Sequence, residues 1–111
     1  MASKLLCKVM HDSKPFCLLT VQYEGGRLCM TRCDFEAWDY NSRSGIVELS
    51  YNLDEVNTAK LVELLEVSSP KNVLSSFSRK FRKGNDYDAC IANFKNFCKE
   101  NNIEYHYNVW Y

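Results

Sequence analysis

Two consecutive glycines, Gly25 and Gly26, stand between two runs of alternating apolar and polar residues, and few structures accept that arrangement. Both central residues of a two-residue type I′ hairpin need positive φ, which glycine adopts without a Cβ penalty. The pair therefore predicts a tight hairpin and sets the register of its strands. Glu24 then faces Arg27, Tyr23 faces Leu28, Gln22 faces Cys29, Val21 faces Met30, Thr20 faces Thr31, Leu19 faces Arg32 and Leu18 faces Cys33. The side carrying Val21, Tyr23, Leu28 and Met30 is the expected core face, because cross-strand apolar pairs are what stabilise a sheet.

Period-two alternation extends on both sides of this hairpin. A first strand is expected with Leu5, Cys7 and Val9 on one face and Lys4 and Lys8 on the other. A turn over His11-Asp12-Ser13-Lys14-Pro15 leads into the second strand, Phe16 to Glu24. The stretch from Asp34 to Gly45 reads as an exposed connection. Ile46 to Leu53 then forms a fourth strand with Val47, Leu49, Tyr51 and Leu53 inward and Glu48, Ser50 and Asn52 outward.

At Asp54 the period changes to that of a helix. The first helix runs to Val67 from a cap at Asp54 or Asn57, with Thr58, Leu61, Val62, Leu64 and Leu65 as its inner stripe. The second spans 69–83, with Ser69 as N-cap, Pro70 at the first helical position and Gly84 just past the end. A third begins at Asn85 or Asp86, and Tyr87, Cys90, Ile91, Phe94, Phe97 and Cys98 follow the i, i+3, i+4, i+7 rule. Alternation returns from Ile103 to Tyr111, so a last strand must join the sheet already built. The predicted order is β-β-β-β-α-α-α-β, an α+β domain over residues 1–111 with an antiparallel sheet and its helices packed on one face.

The chain has 111 residues, fourteen basic and fourteen acidic, so its formal charge is zero. Its length suits one core that needs neither metal nor disulfide. Lysines break the first residues before a signal-like apolar run builds, and no stretch approaches the ~18 apolar residues of a membrane span. A cytoplasmic protein with reduced cysteines is expected, so Cys7, Cys17, Cys29, Cys33, Cys90 and Cys98 read as small buried hydrophobes. No metal or cofactor is expected: there is no C-x-x-C pair, and Cys29 and Cys33 on one strand stand roughly 13 Å apart.

Zero net charge conceals an uneven distribution. Ser69 to Gly84 holds Lys71, Arg79, Lys80, Arg82 and Lys83 with no acid, leaving nine basic against fourteen acidic residues elsewhere. On a helical wheel Val73, Leu74, Phe77 and Phe81 share one arc, and Arg79 lies opposite, flanked by Asn72, Ser75, Ser76, Arg82 and Lys83. Guanidinium, ammonium and hydroxyl donors on one face suit phosphate oxygens. Cations at a helix C-terminus are also favoured by the dipole alone. The stretch Asp34-Phe35-Glu36-Ala37-Trp38-Asp39-Tyr40 is the negative counterpart, and Trp38 and Tyr40 beside acids would suit the basic surface of a nucleic-acid-binding protein.

No phosphate loop, dinucleotide fingerprint, metalloprotease helix or nucleophile elbow occurs, and His11 and His106 have no partner at a catalytic spacing. The expectation is therefore a non-enzyme. In size, in abundance of Asn, Lys, Tyr and Phe, and in charged patches of both signs without catalytic apparatus, the chain resembles small phage-encoded anti-defence proteins of the anti-CRISPR type. No motif carries the resemblance and no residue role transfers with it. It implies an inhibitor or modulator that docks on a protein partner, such as a nucleic-acid-processing complex. The alternative is a nucleic-acid or nucleotide-phosphate binder using the basic outer face of the helix over 69–83.

Overall fold

A computed structural model describes residues 2–11, 14–34, 47–67 and 69–110 of the chain. The strands are β1 (Ala2–His11), β2 (Lys14–Glu24), β3 (Arg27–Asp34), β4 (Val47–Asn52) and β5 (His106–Trp110). Between β4 and β5 come α1 (Glu55–Leu64), a 3₁₀ turn over Pro70–Asn72, α2 (Val73–Phe81) and α3 (Tyr87–Glu100). The order is the one the sequence predicts, and the five strands form one antiparallel sheet in sequential order. The last strand therefore takes an edge, beside β4.

The hairpin register is the predicted one, from Glu24 opposite Arg27 to Leu18 opposite Cys33. Gly25 and Gly26 have φ of 59° and 77°, the left-handed pair that a type I′ turn requires. Val21, Leu28 and Met30 are buried, with Tyr23 packed against them.

In β1 the alternation fails. Leu5 pairs with Thr20 but Cys7 pairs with Leu19, so Leu6 is an extra residue. This bulge buries Leu6 beside Cys7 and leaves Leu5, an expected core residue, 47% exposed. The strands also pair through His11 and Lys14, reaching into the predicted turn. β3 takes in Asp34, which had been assigned to the following connection, and β4 ends at Asn52. Beyond β4, Leu53 donates its N–H to the Leu28 carbonyl at 2.9 Å.

Asp54 caps α1, its Oδ1 accepting from the Asn57 N–H at 2.7 Å. That bond holds the Asp54 carboxyl below its ordinary pKa. The helix is shorter than expected, ending at Leu64, which is exposed instead of inward. Thr58 ties α1 to the sheet by accepting from the Leu28 N–H at 3.0 Å.

The core lies between one sheet face and the helices. Phe94 of α3 is its hub, with ring contacts to Tyr51, Phe77, Phe81 and Tyr105 at 5.6 to 6.2 Å. α2 lies over β1 and β2, and α1 abuts β3. α3 reaches β3 through Arg32, whose guanidinium stands 4.5 Å from the Tyr87 ring centroid and 3.7 Å from an Asp88 oxygen. Among the described residues no helix is long and apolar enough to cross a membrane.

Candidate functional site

Ser69 opens the basic segment as predicted, its hydroxyl accepting from the Lys71 N–H and Pro70 following it. The first turn is 3₁₀, and α2 proper starts at Val73. Val73, Leu74, Phe77 and Phe81 are buried, as the wheel requires. The opposite side is thereby turned to solvent, with Asn72, Ser75, Arg79 and Lys80 exposed and Ser76 half-buried. Lys80 leans back over the core margin, its Nζ 5.2 Å from the Phe97 ring centroid.

The basic face is shorter than the sequence implies. α2 stops at Phe81, and Arg82 turns into extended backbone with ψ of 136°. Arg82 Nε then donates to the Gly84 carbonyl at 2.9 Å, and Gly84 takes a φ of 57°. Asn93 of α3 donates its side-chain amide to the Phe81 carbonyl at 3.2 Å, satisfying one of the carbonyls that a helix end leaves open. The helix thus ends before Lys83, and neither Arg82 nor Lys83 lines the cleft that Arg79 lines. Arg82 lies near Cys7 and Cys90 at the β1 and α3 end, where its charge partly offsets the rise that burial imposes on both thiols.

The remaining predicted residues do converge. Asn72, Ser75, Ser76 and Arg79 line a cleft of 270 Å³, and its other wall is Glu66 and Val67, just beyond α1. Through Ser76 and Arg79 the cleft continues into a recess of 290 Å³ bounded by Leu64, Leu65 and Lys80. The site therefore holds a guanidinium, an ammonium, a carboxylate, two hydroxyls and an exposed leucine. Such a surface offers contacts to both signs of charge and to an apolar side chain.

Glu66 and Leu64 were not predicted as site residues. Glu66 closes α1 in the left-handed region, φ 57°, with its N–H donated to the Glu63 carbonyl at 3.1 Å. Glycine usually occupies that position and its absence from Glu66-Val67 hid the helix end. The acidic segment with Trp38 and Tyr40 lies outside the described residues.

A larger opening of 740 Å³ lies between α3, the start of α1 and residues 103–106. At its wall the buried Asn57 has both amide atoms engaged, donating to Asp54 Oδ1 at 3.0 Å and accepting from the Glu104 N–H at 2.9 Å. Its charged lining, Asp54, Lys95, Lys99 and Glu104, balances to zero. Asp54, Asn57 and the Glu104 N–H bond one another at the junction between α1 and the approach to β5.

Comparison with family models, with curated proteins and with solved structures finds no match.

Proposed function

We propose that this chain is a small non-catalytic binding protein that inhibits or modulates a protein partner by docking through the cleft between α1 and α2. The partner class, following the resemblance to anti-defence proteins, is a nucleic-acid-processing complex such as a CRISPR-type nuclease. One observation carries the choice of surface: Asn72, Ser75, Ser76 and Arg79 share a cleft with Glu66, beside the exposed Leu64. An arginine and an apolar side chain at the centre of a patch, with polar neighbours, is the usual anatomy of a protein interface. A site for nucleic-acid backbone gains nothing from a carboxylate sharing the cleft with its arginine, and neither Arg82 nor Lys83 lines that cleft.

The test is inhibition of reconstituted CRISPR-type nucleases, scored as target cleavage with and without the chain. The wild type is expected to suppress cleavage by its cognate complex, and Arg79→Glu or Leu64→Asp to lose at least about tenfold in potency with an unchanged circular dichroism spectrum. Capture from nuclease-treated lysate should retain a protein that the Arg79→Glu variant loses. Recovery of nucleic acid alone, with affinity falling steeply as salt rises, would replace this reading with direct nucleic-acid binding.

A further inference from the structure

The sheet has two edges, β1 and β5, and they are treated differently. An edge strand presents unpaired N–H and C=O groups that recruit other strands unless something blocks them. β1 is blocked three ways. It carries Lys4 and Lys8, it is bulged at Leu6, and a side chain occupies its backbone. The Lys8 N–H donates to Asn85 Oδ1 at 2.8 Å while Asn85 Nδ2 donates to the Lys8 carbonyl. One amide thus reproduces the pair of bonds that a neighbouring strand would make.

β5 has none of these devices. His106-Tyr107-Asn108-Val109-Trp110 contains no charge and no proline, and it pairs with β4 over five positions without a bulge. Among the described residues, the side chain that reaches its backbone is Asn52, bonding the His106 carbonyl from β4, the strand that β5 already pairs with. Tyr107 stands opposite Tyr51 on the inner face, 5.2 Å between ring centroids, yet Tyr51 is 7% exposed and Tyr107 is 52% exposed. The helical layer covers β4 and stops short of the edge.

We infer that the outer edge of β5, which no described strand pairs with, pairs antiparallel with the same edge of a second copy of this chain, continuing the sheet across a two-fold axis. Symmetry selects the second copy. With β1 closed, edge pairing between copies is restricted to β5 on β5, which is isologous and ends at two. Two open edges would instead allow β5 to add to β1 of the next molecule without limit. The strand is also self-compatible: no like charges meet, and an axis at Asn108 sets each Tyr107 opposite the second copy's Val109, an aromatic and β-branched pair of the kind sheets favour.

Sedimentation velocity from low to high micromolar concentration tests the inference. The wild type is expected as a concentration-dependent dimer of the 13.0 kDa chain. Tyr107→Lys changes an exposed side chain and should weaken dimerisation at least about tenfold with the fold intact by circular dichroism. Val109→Pro removes an N–H that points away from β4 and should weaken it too, and Arg79→Glu should leave it unchanged, which separates this edge from the docking cleft. Asn85→Ala unblocks β1 and should yield species larger than the dimer. A wild type that stays monomeric at every concentration, or a dimer that survives Tyr107→Lys, overturns the inference. An Asn85→Ala protein that never exceeds two copies overturns the role assigned to Asn85. If β5 instead recruits a strand from another protein, the wild type will be monomeric alone and that partner will be lost with Tyr107→Lys.

Discussion

Thr58 is 1% exposed and stands where the sheet ladder runs out. The Leu28 carbonyl accepts from the Leu53 N–H, but the chain then turns into α1 and leaves the Leu28 N–H without a ladder acceptor. The Thr58 hydroxyl supplies one at 3.0 Å, and faces the Leu53 carbonyl at 3.5 Å. Thr58→Val keeps the shape and the branched Cβ, so packing and helix propensity change little, yet it removes the acceptor. A buried N–H left unpaired costs about 1–3 kcal/mol. Taking ~2 kcal/mol and a urea m-value of ~1.5 kcal/mol/M, the midpoint of unfolding falls by about 1.3 M with m unchanged. Thr58→Ser retains the hydroxyl and loses one methyl group, at a cost of about 1 kcal/mol, so it should be the milder change. Urea titration followed by circular dichroism measures both, and amide exchange at Leu28 reports the bond itself. A Thr58→Val midpoint within error of the wild type, or a Thr58→Ser protein less stable than Thr58→Val, refutes the reasoning.

Glu66→Gly should stabilise the fold by up to about 1 kcal/mol, because glycine accepts the left-handed φ that glutamate adopts at a cost, and thermal unfolding measures it. Gly25→Asn should be close to neutral while Gly25→Val costs about 1–2 kcal/mol, since no atom crowds a Cβ there and only the φ of 59° matters; denaturant midpoints rank the two. Burial pushes the thiol of Cys90 up to about 12 and that of Cys98 up to about 11, so iodoacetamide at pH 8 should label them only after unfolding, as read by mass spectrometry. Because these folded-state pKa values are raised, the associated stability is complete below about pH 8.5 and declines as pH climbs toward the folded values, so the midpoint should fall above about pH 9. For Asp54 the folded pKa is lowered, so its contribution is present above the ordinary carboxyl pKa and lost as pH falls through the folded value. Asp54→Asn, which preserves the cap, should flatten that acid limb in a pH series of melting temperatures.

Local rules made much of the fold legible. Gly25-Gly26 dictated every pair of the β2–β3 hairpin because turn geometry sets register. The stripe from Tyr87 to Cys98 placed Cys90, Ile91, Phe94 and Cys98 in the core because a helix has one period and one buried side. The failures share a cause as well. Leu6 rather than Leu5 is buried because a bulge, which no residue type announces, shifts the phase of β1. α1 and α2 end early where Glu66 takes a left-handed turn without glycine and where Asn93, twelve residues from Phe81, takes up a terminal carbonyl.

The candidate site divides along the same line. The arc of Asn72, Ser75, Ser76 and Arg79 follows from the apolar stripe of α2, since burying Phe77 and Phe81 turns those four outward. That this arc becomes one wall of a cleft with Glu66, and that the cleft lining stops short of Arg82 and Lys83, depends on where α1 ends and on the contact between α2 and α3. The same holds for the two sheet edges. Sequence alone determined that five strands and three helices would form, because periodicity and turn chemistry act within a few residues. Tertiary structure alone decided that Asn85 bonds the β1 edge while no described residue does so at the β5 edge, because that outcome depends on residues 77 positions apart meeting through the packing of the whole domain.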